Sequence, residues 1–194
     1  MFKPDKDLEE LGKYNSPCKD CGGICCKSLG CHFSPSDFNE ITFEHLKEQI
    51  EKGYISIDRW EGDPREYIDD GYEYHHVWFL RMRNVRDRTK GNMFLSALLG
   101  SGVISNGDPE EYADIVDCSW GAGCALLTET GCPIEHDKRP MGARLLIAKG
   151  ANEHCIEGYS KQQCSIDWIP YQDIMEQLVD HFINKEIEFK GYVE

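Results

Sequence analysis

Four cysteines fall within nine residues near the start of the chain, in the stretch CKDCGGICC that spans residues 18–26. Cys18 and Cys21 are separated by two residues, so one tight turn can present both sulfur atoms to the same metal ion. Gly22 and Gly23 follow at once, and their conformational freedom lets backbone N–H groups turn toward the sulfurs. This arrangement is typical of the knuckles that build four-thiolate zinc and iron sites.

The cellular compartment affects how such a cluster is interpreted. The N-terminal stretch MFKPDKDLEELGKY contains no apolar run like that of a signal peptide. We therefore predict a cytoplasmic protein in a reducing environment, where clustered cysteines are more often metal ligands or redox thiols than disulfides. No apolar stretch approaches the length of a membrane span, so no membrane association is predicted.

Further cysteines follow the first cluster. Cys25 and Cys26 are adjacent, and because adjacent side chains diverge, they serve two centres, flank a multinuclear cluster, or include one buried thiol. We predict as metal ligands Cys18, Cys21, Cys25, Cys26, Cys118, Cys124 and Cys132. Additional candidates are Cys31, Cys155, Cys164 and His136.

The kind of metal remains open at the level of sequence. The glycines of the knuckle fit Zn²⁺ or a single iron, whereas the adjacent cysteines and the surplus of thiols fit an iron–sulfur cluster equally well. The prediction is zinc, by a small preference, or an iron–sulfur cluster. Arg139 and Arg144 lie in the second cysteine block, where their guanidinium groups would offset the negative charge of a thiolate centre; ordinary surface ion pairs are the alternative.

Composition limits the possible partners. The chain has 194 residues and a net charge of −14, and a surface of that sign repels a phosphate backbone, so no nucleic-acid partner is predicted. The apolar fraction of 40% is sufficient for a hydrophobic core without disulfide staples. We predict one compact domain over residues 1–194.

The periodicity of apolar residues predicts helices and strands in the same domain. An acidic helix is expected over residues 5–11, and SPSDFNEITFEHLKEQIEKG (34–53) is predicted to form one helix, capped by Ser34 with Asp37 and ended by Gly53. Strands are predicted at 54–60, 75–82 and 143–148. A last helix is predicted from the apolar face formed by Tyr171, Ile174, Met175, Leu178 and Phe182. The expected class is α+β, with helices around a small irregular sheet pinned by the metal centre.

The two cysteine blocks together resemble the YkgJ-type cysteine-cluster family, a domain described as zinc- or iron-chelating. The first block matches through Cys18, Cys21, Cys25 and Cys26. The second, CALLTETGCPIEHDKRPMGARLL, matches through Cys124, Cys132, Arg139, Pro140 and Arg144. The chain departs from the family pattern at Ala143, where the family usually has a cysteine. The resemblance implies that another residue supplies this ligand, with Cys118 first and Cys155 second, or that the coordination position is open.

These observations predict a metal-binding protein whose centre is structural or serves to sense or deliver metal. A metal-dependent enzyme that modifies a protein substrate is one alternative, because related cysteine clusters occur in proteins that resemble flagellin lysine methylases. An adaptor is another: the basic run RMRNVRDRTK (81–90) could dock an acidic protein partner, although a solvated strand end is the simpler interpretation.

Overall fold

The computed structural model describes residues 26, 30–66, 76–84, 115–116, 124, 126, 132, 134–147 and 156–190. The helix predicted at 5–11 lies outside the described residues. Helices and small antiparallel sheets are combined in the described part, which confirms the α+β class. Among the helices of these ranges, none has the length and apolarity needed to cross a bilayer.

The central element is a two-stranded antiparallel sheet. Strand β1 (Ile55–Glu61) pairs with β2 (His76–Met82), which confirms the strands predicted at 54–60 and 75–82. Side chains alternate along a strand. The cross-strand pair Ile57 and Leu80 therefore points to one face of the sheet, and the next pair, Asp58 and Phe79, points to the other. All four side chains are buried, so helices or loops cover both faces of the sheet.

The helix predicted over 34–53 is divided in two, and this prediction is wrong in its middle. A 3₁₀ turn (Pro35–Asp37) carries the predicted capping box of Ser34 and Asp37, but Phe38 is already extended. Helix α1 (Phe43–Glu51) then begins anew behind Thr42. The Asp37 carboxylate also accepts a hydrogen bond from the Met141 backbone N–H at 2.8 Å, a tertiary contact that the sequence pattern does not contain.

Thr42 gives a direct test of this second start. Its hydroxyl accepts a hydrogen bond from the His45 backbone N–H at 3.3 Å. Thr42→Ala is expected to lower the free energy of unfolding by about 1 kcal/mol, because an N-cap hydroxyl is lost. Ser36→Ala is the matched control, because it also removes one hydroxyl but lies inside the preceding 3₁₀ turn and does not cap α1. We expect it to have a smaller effect than Thr42→Ala. Thermal or urea unfolding measures both, and an unchanged Thr42→Ala midpoint would contradict the new start.

The C-terminal part packs two helices against the sheet. Helix α3 (Lys161–Trp168) contacts both strands, and α4 (Gln172–Lys190) contacts β2 and α1. Helix α4 confirms the predicted last helix, and α3 was not predicted. The indole N–H of Trp168 donates to the Phe33 carbonyl at 2.8 Å, which ties α3 to the segment that follows the first cysteines.

The strand predicted at 143–148 is only partly a strand. Helix α2 (Met141–Arg144) occupies its first half, and the short strand β3 (Leu146–Ile147) pairs with β4 (Ile156–Glu157) in its second. Pro140 precedes the helix, and its carbonyl accepts the backbone N–H groups of Ala143 and Arg144. Apolar content alone therefore did not distinguish one helical turn from an extended strand.

The basic run at 81–90 begins inside the protein. Arg81 is 4% exposed and donates to Asp58, which is 3% exposed, at 2.7 Å; Lys161 lies 3.8 Å from the same carboxylate. Arg81 is therefore neither part of a docking surface nor a solvated strand end, because its charge is matched by a carboxylate in the core. Residues 85–90 of the run lie outside the described residues.

Candidate metal centre

One cavity of about 310 Å³ brings together cysteines from both halves of the sequence. Cys26 and Cys31 contribute to its wall from the first half, and Cys124 and Cys132 from the second. Burial raises the pKa of the Cys31 thiol well above its usual value, and the charges of Cys124, Cys26 and Cys132 raise it further. The four thiols are therefore close enough to influence one another's charge.

The four side chains line the cavity without closing around a single point. In the part of the chain that the structure describes, no three Cys, His, Asp or Glu side chains stand in the geometry of a bound ion.

Cys31 is placed by a short extended segment along β2. The Met82 backbone N–H donates to the Cys31 carbonyl at 2.7 Å, and the Phe33 N–H donates to the Leu80 carbonyl at 2.9 Å. These bonds make residues 30–33 an additional edge beside β2. Gly30 allows this approach, because a Cβ atom there would overlap the carbonyl of Met82.

Cys124 is placed by the end of the same strand. It forms an antiparallel bridge with Asn84, two residues beyond β2, and its backbone N–H donates to the Cys26 carbonyl at 2.6 Å. The C-terminal end of β2 therefore holds backbone from both cysteine blocks, and it sets the distance between them.

Helix α2 forms part of the wall and contacts the Cys31 segment directly. The Gly142 backbone N–H donates to the His32 carbonyl at 3.0 Å, and a Cβ atom at position 142 would lie 2.7 Å from that carbonyl oxygen. Asp37 joins the same two segments, since its carboxylate accepts the backbone N–H groups of Ser34 and Met141. Arg144 lies 3.7 Å from the Asp37 carboxylate.

The rest of the wall is mainly apolar, with a few polar side chains. His32 borders the cavity, but its imidazole packs edge-on against Phe79, with the ring centroids 5.6 Å apart, and its pKa is lowered to about 4 by burial and then by the nearby charge of Arg81. Its imidazole is therefore neutral at pH 7. Tyr159 also lines the cavity and directs its hydroxyl away, donating to Asp167 at 2.8 Å. The apolar members are Met82, Leu126, Ile134, Pro140 and Leu146.

The predicted site residues fall into three groups. Those at the cavity are Cys26, Cys31, Cys124, Cys132 and Arg139, with Ala143 beside them. Those placed elsewhere are Cys164, His136 and Arg144. Those that lie outside the described residues are Cys18, Cys21, Cys25, Cys118 and Cys155.

The residues placed elsewhere have other contacts. Cys164 is fully buried in the core, and its thiol donates to the Phe33 carbonyl at 3.3 Å. His136 is 54% exposed and lies 3.3 Å from the Asp137 carboxylate. Arg144 pairs with Asp37. Sequence analysis placed Cys31 only among the additional candidates; its signal was its position next to His32, close behind the first block.

The fold and the cavity define a class: an α+β protein in which cysteines distant in sequence gather at the end of a two-stranded sheet. Comparison with protein-family models, with curated proteins and with solved structures found no match. The resemblance to the YkgJ-type family therefore stays a prediction from the two cysteine blocks.

Proposed function

We propose that the protein binds a thiolate-ligated metal centre in this cavity, held by Cys26, Cys31, Cys124 and Cys132. The observation that carries the proposal is that these cysteines, from two separate blocks, line one cavity. Four sulfur donors make up the full protein ligand set of both structural zinc sites and common iron–sulfur clusters. The four thiols therefore match such a group in number and chemical type, and metal binding would have to draw them together around it.

The electrostatics of the cavity support a cation there. Thiolates in one largely apolar space repel one another, and a metal centre offsets that repulsion with its own positive charge. Arg139 is 4% exposed and lies in the same wall, with its Nε donating to the Ile134 carbonyl at 3.0 Å. A fixed guanidinium at this place would further balance the charge of a four-thiolate centre.

The size of the cavity favours a cluster over a single zinc ion. Zinc–sulfur bonds of about 2.3 Å enclose little more than the ion itself. The cavity of about 310 Å³ is roughly ten times the volume of one water molecule in the liquid, about 30 Å³. We therefore propose an iron–sulfur cluster, which reverses the small preference for zinc that the sequence alone gave.

In this proposal the residues of the chain have two tasks. The four cysteines cross-link the two blocks, so the binding energy of the metal becomes folding energy. The apolar wall limits the access of water to the sulfurs. A cluster, when bound, would supply one-electron redox chemistry; a zinc ion would supply only the cross-link.

The proposal also addresses the departure at Ala143. Ala143 lines the cavity, so a cysteine at this position would face the same space. We propose that Cys31 supplies the thiol that the YkgJ-type pattern carries at 143. Cys118, the first substitute considered from the sequence, lies outside the described residues and stays a prediction.

The test is the composition of protein purified without oxygen or chelator from a reducing cytoplasm. We expect iron and acid-labile sulfide in equal amounts, a brown colour, and a mass by native mass spectrometry that exceeds the chain by one cluster. Stoichiometric zinc without sulfide would support a thiolate-ligated metal centre but contradict the proposal that it is an iron–sulfur cluster. A folded protein without any metal would contradict the proposed function.

A further inference from the structure

Asn84 lies where the two cysteine-bearing segments meet, two residues beyond the end of β2. It is fully buried, with no exposed surface. Its side-chain oxygen Oδ1 accepts a hydrogen bond from the Gly30 backbone N–H at 2.9 Å, one residue before Cys31. Its backbone forms the antiparallel bridge with Cys124. One residue therefore holds one cysteine segment with its side chain and the other with its main chain.

The surrounding bonds make this junction continuous. Cys124 donates from its backbone N–H to the Cys26 carbonyl at 2.6 Å, and Met82 donates to the Cys31 carbonyl at 2.7 Å. Arg81 donates to the Gly30 carbonyl at 3.3 Å, so both polar backbone groups of Gly30 are bonded to residues at the end of β2. A displacement of Asn84 would move Cys31 and Cys124 relative to each other.

We propose that Asn84 is a positioning residue of the cysteine centre, which sets the Cys31 segment against the Cys124 segment before any metal is bound. The inference rests on the proposed function for its metal readout, whereas the hydrogen bond and the strand bridge are independent of metal. Residues that orient ligands from outside the coordination sphere commonly change metal affinity by about 10–100-fold when they are replaced. Neither the cysteine spacing nor the family resemblance points to Asn84.

The main test compares Asn84→Leu with Asn84→Asp. Leucine is close in size and lacks the acceptor oxygen, so the Gly30 N–H is left unpaired; aspartate keeps an acceptor at the same place. We expect Asn84→Leu to lower affinity about 10–100-fold in a competition assay with a chromogenic chelator, using Co²⁺ as a spectroscopic probe of thiolate ligation. Asn84→Asp keeps the acceptor but also brings a carboxyl group into a fully buried position, so we expect it to lose less affinity than Asn84→Leu without equalling the native protein.

The control for general destabilisation is Leu46→Ala, a core substitution in α1, whose residues do not line the cavity. It is expected to lower the melting temperature and leave the intensity of the cobalt–thiolate charge-transfer band unchanged. If Asn84→Leu does not melt cooperatively, Asn84→Ala replaces it, because alanine removes the acceptor without adding bulk. Native cobalt affinity and an unchanged band in the acceptor-free variant would overturn the inference.

A second measurement separates this inference from the proposed function. In metal-free protein, amide hydrogen exchange followed by NMR measures how well the backbone N–H groups of Gly30 and Cys124 are protected from exchange with water. We expect both to exchange faster in the acceptor-free variant by at least tenfold, and the amides of α1 to be unaffected. If the native protein binds no metal but these amides respond as expected, the proposed function fails and the positioning role of Asn84 stands. Native protection at both amides would contradict it.

Discussion

Cys31→Ser is expected to abolish the proposed metal centre and to lower the melting temperature by about 10 °C. Serine is a poor ligand for zinc or iron, so the loss of one thiolate from a set of four opens the site. Loss of a structural metal belongs to the few mechanisms that cost more than about 4 kcal/mol of unfolding free energy. In a chain of 194 residues, each kcal/mol shifts the melting temperature by roughly 2–4 °C.

The matched control is Cys164→Ser. Cys164 is fully buried, but its thiol donates to the Phe33 carbonyl in the core, and a serine hydroxyl can donate to the same oxygen. We expect it to lose about 1–2 kcal/mol, because a more polar group is buried, and to keep its full metal content. Elemental analysis and thermal melts of both variants decide the matter. Native metal content in Cys31→Ser would remove Cys31 from the ligand set.

Gly142→Ala is the second substitution with a large expected effect. We expect it to destabilise the protein, although helix propensity alone would predict that alanine stabilises α2. Alanine is favoured over glycine by about 1 kcal/mol within a helix, so α2 taken alone would gain stability. The new Cβ atom would, however, lie 2.7 Å from both the backbone nitrogen and the carbonyl oxygen of His32. These are backbone atoms next to Cys31, and they cannot move away by a rotamer change.

The clash is expected to outweigh the propensity. Overpacking of a well-filled site costs about 1–3 kcal/mol and sometimes more, and here it also breaks the hydrogen bond from Gly142 N–H to the His32 carbonyl. We expect a net loss of about 2 kcal/mol of unfolding free energy, measured by urea denaturation, together with reduced metal content because Cys31 is displaced.

Ala143→Gly is the control for this second substitution. It makes the reverse change, alanine to glycine, one residue further along the same helix. We expect it to lower the free energy of unfolding by about 1 kcal/mol through helix propensity alone and to leave the metal content unchanged. A Gly142→Ala variant more stable than the native protein would show that α2 does not press against the Cys31 segment.

Local capping signals and alternation were enough to predict several elements. Ser34 with Asp37 was recognised as a capping pair from sequence, and the structure contains that pair. Strand β1 was predicted because YISIDRW alternates, and β2 was predicted because HHVWFLRM is a short run that contains strand-favouring residues. Helix α3 was missed because KQQCSIDW has no apolar stripe; Ser160, whose hydroxyl accepts the Gln163 N–H at 3.1 Å, was the available start signal.

The sequence by itself determined which residues are chemically able to bind metal, because ligand type is a property of the side chain. It also placed those residues in two blocks. Only the tertiary structure decided which described cysteines share a cavity, because Cys31 and Cys124 are brought together by backbone pairing with the end of β2. Such pairing depends on strand register and on buried bonds such as that from Gly30 to Asn84, and residue spacing carries no information about either.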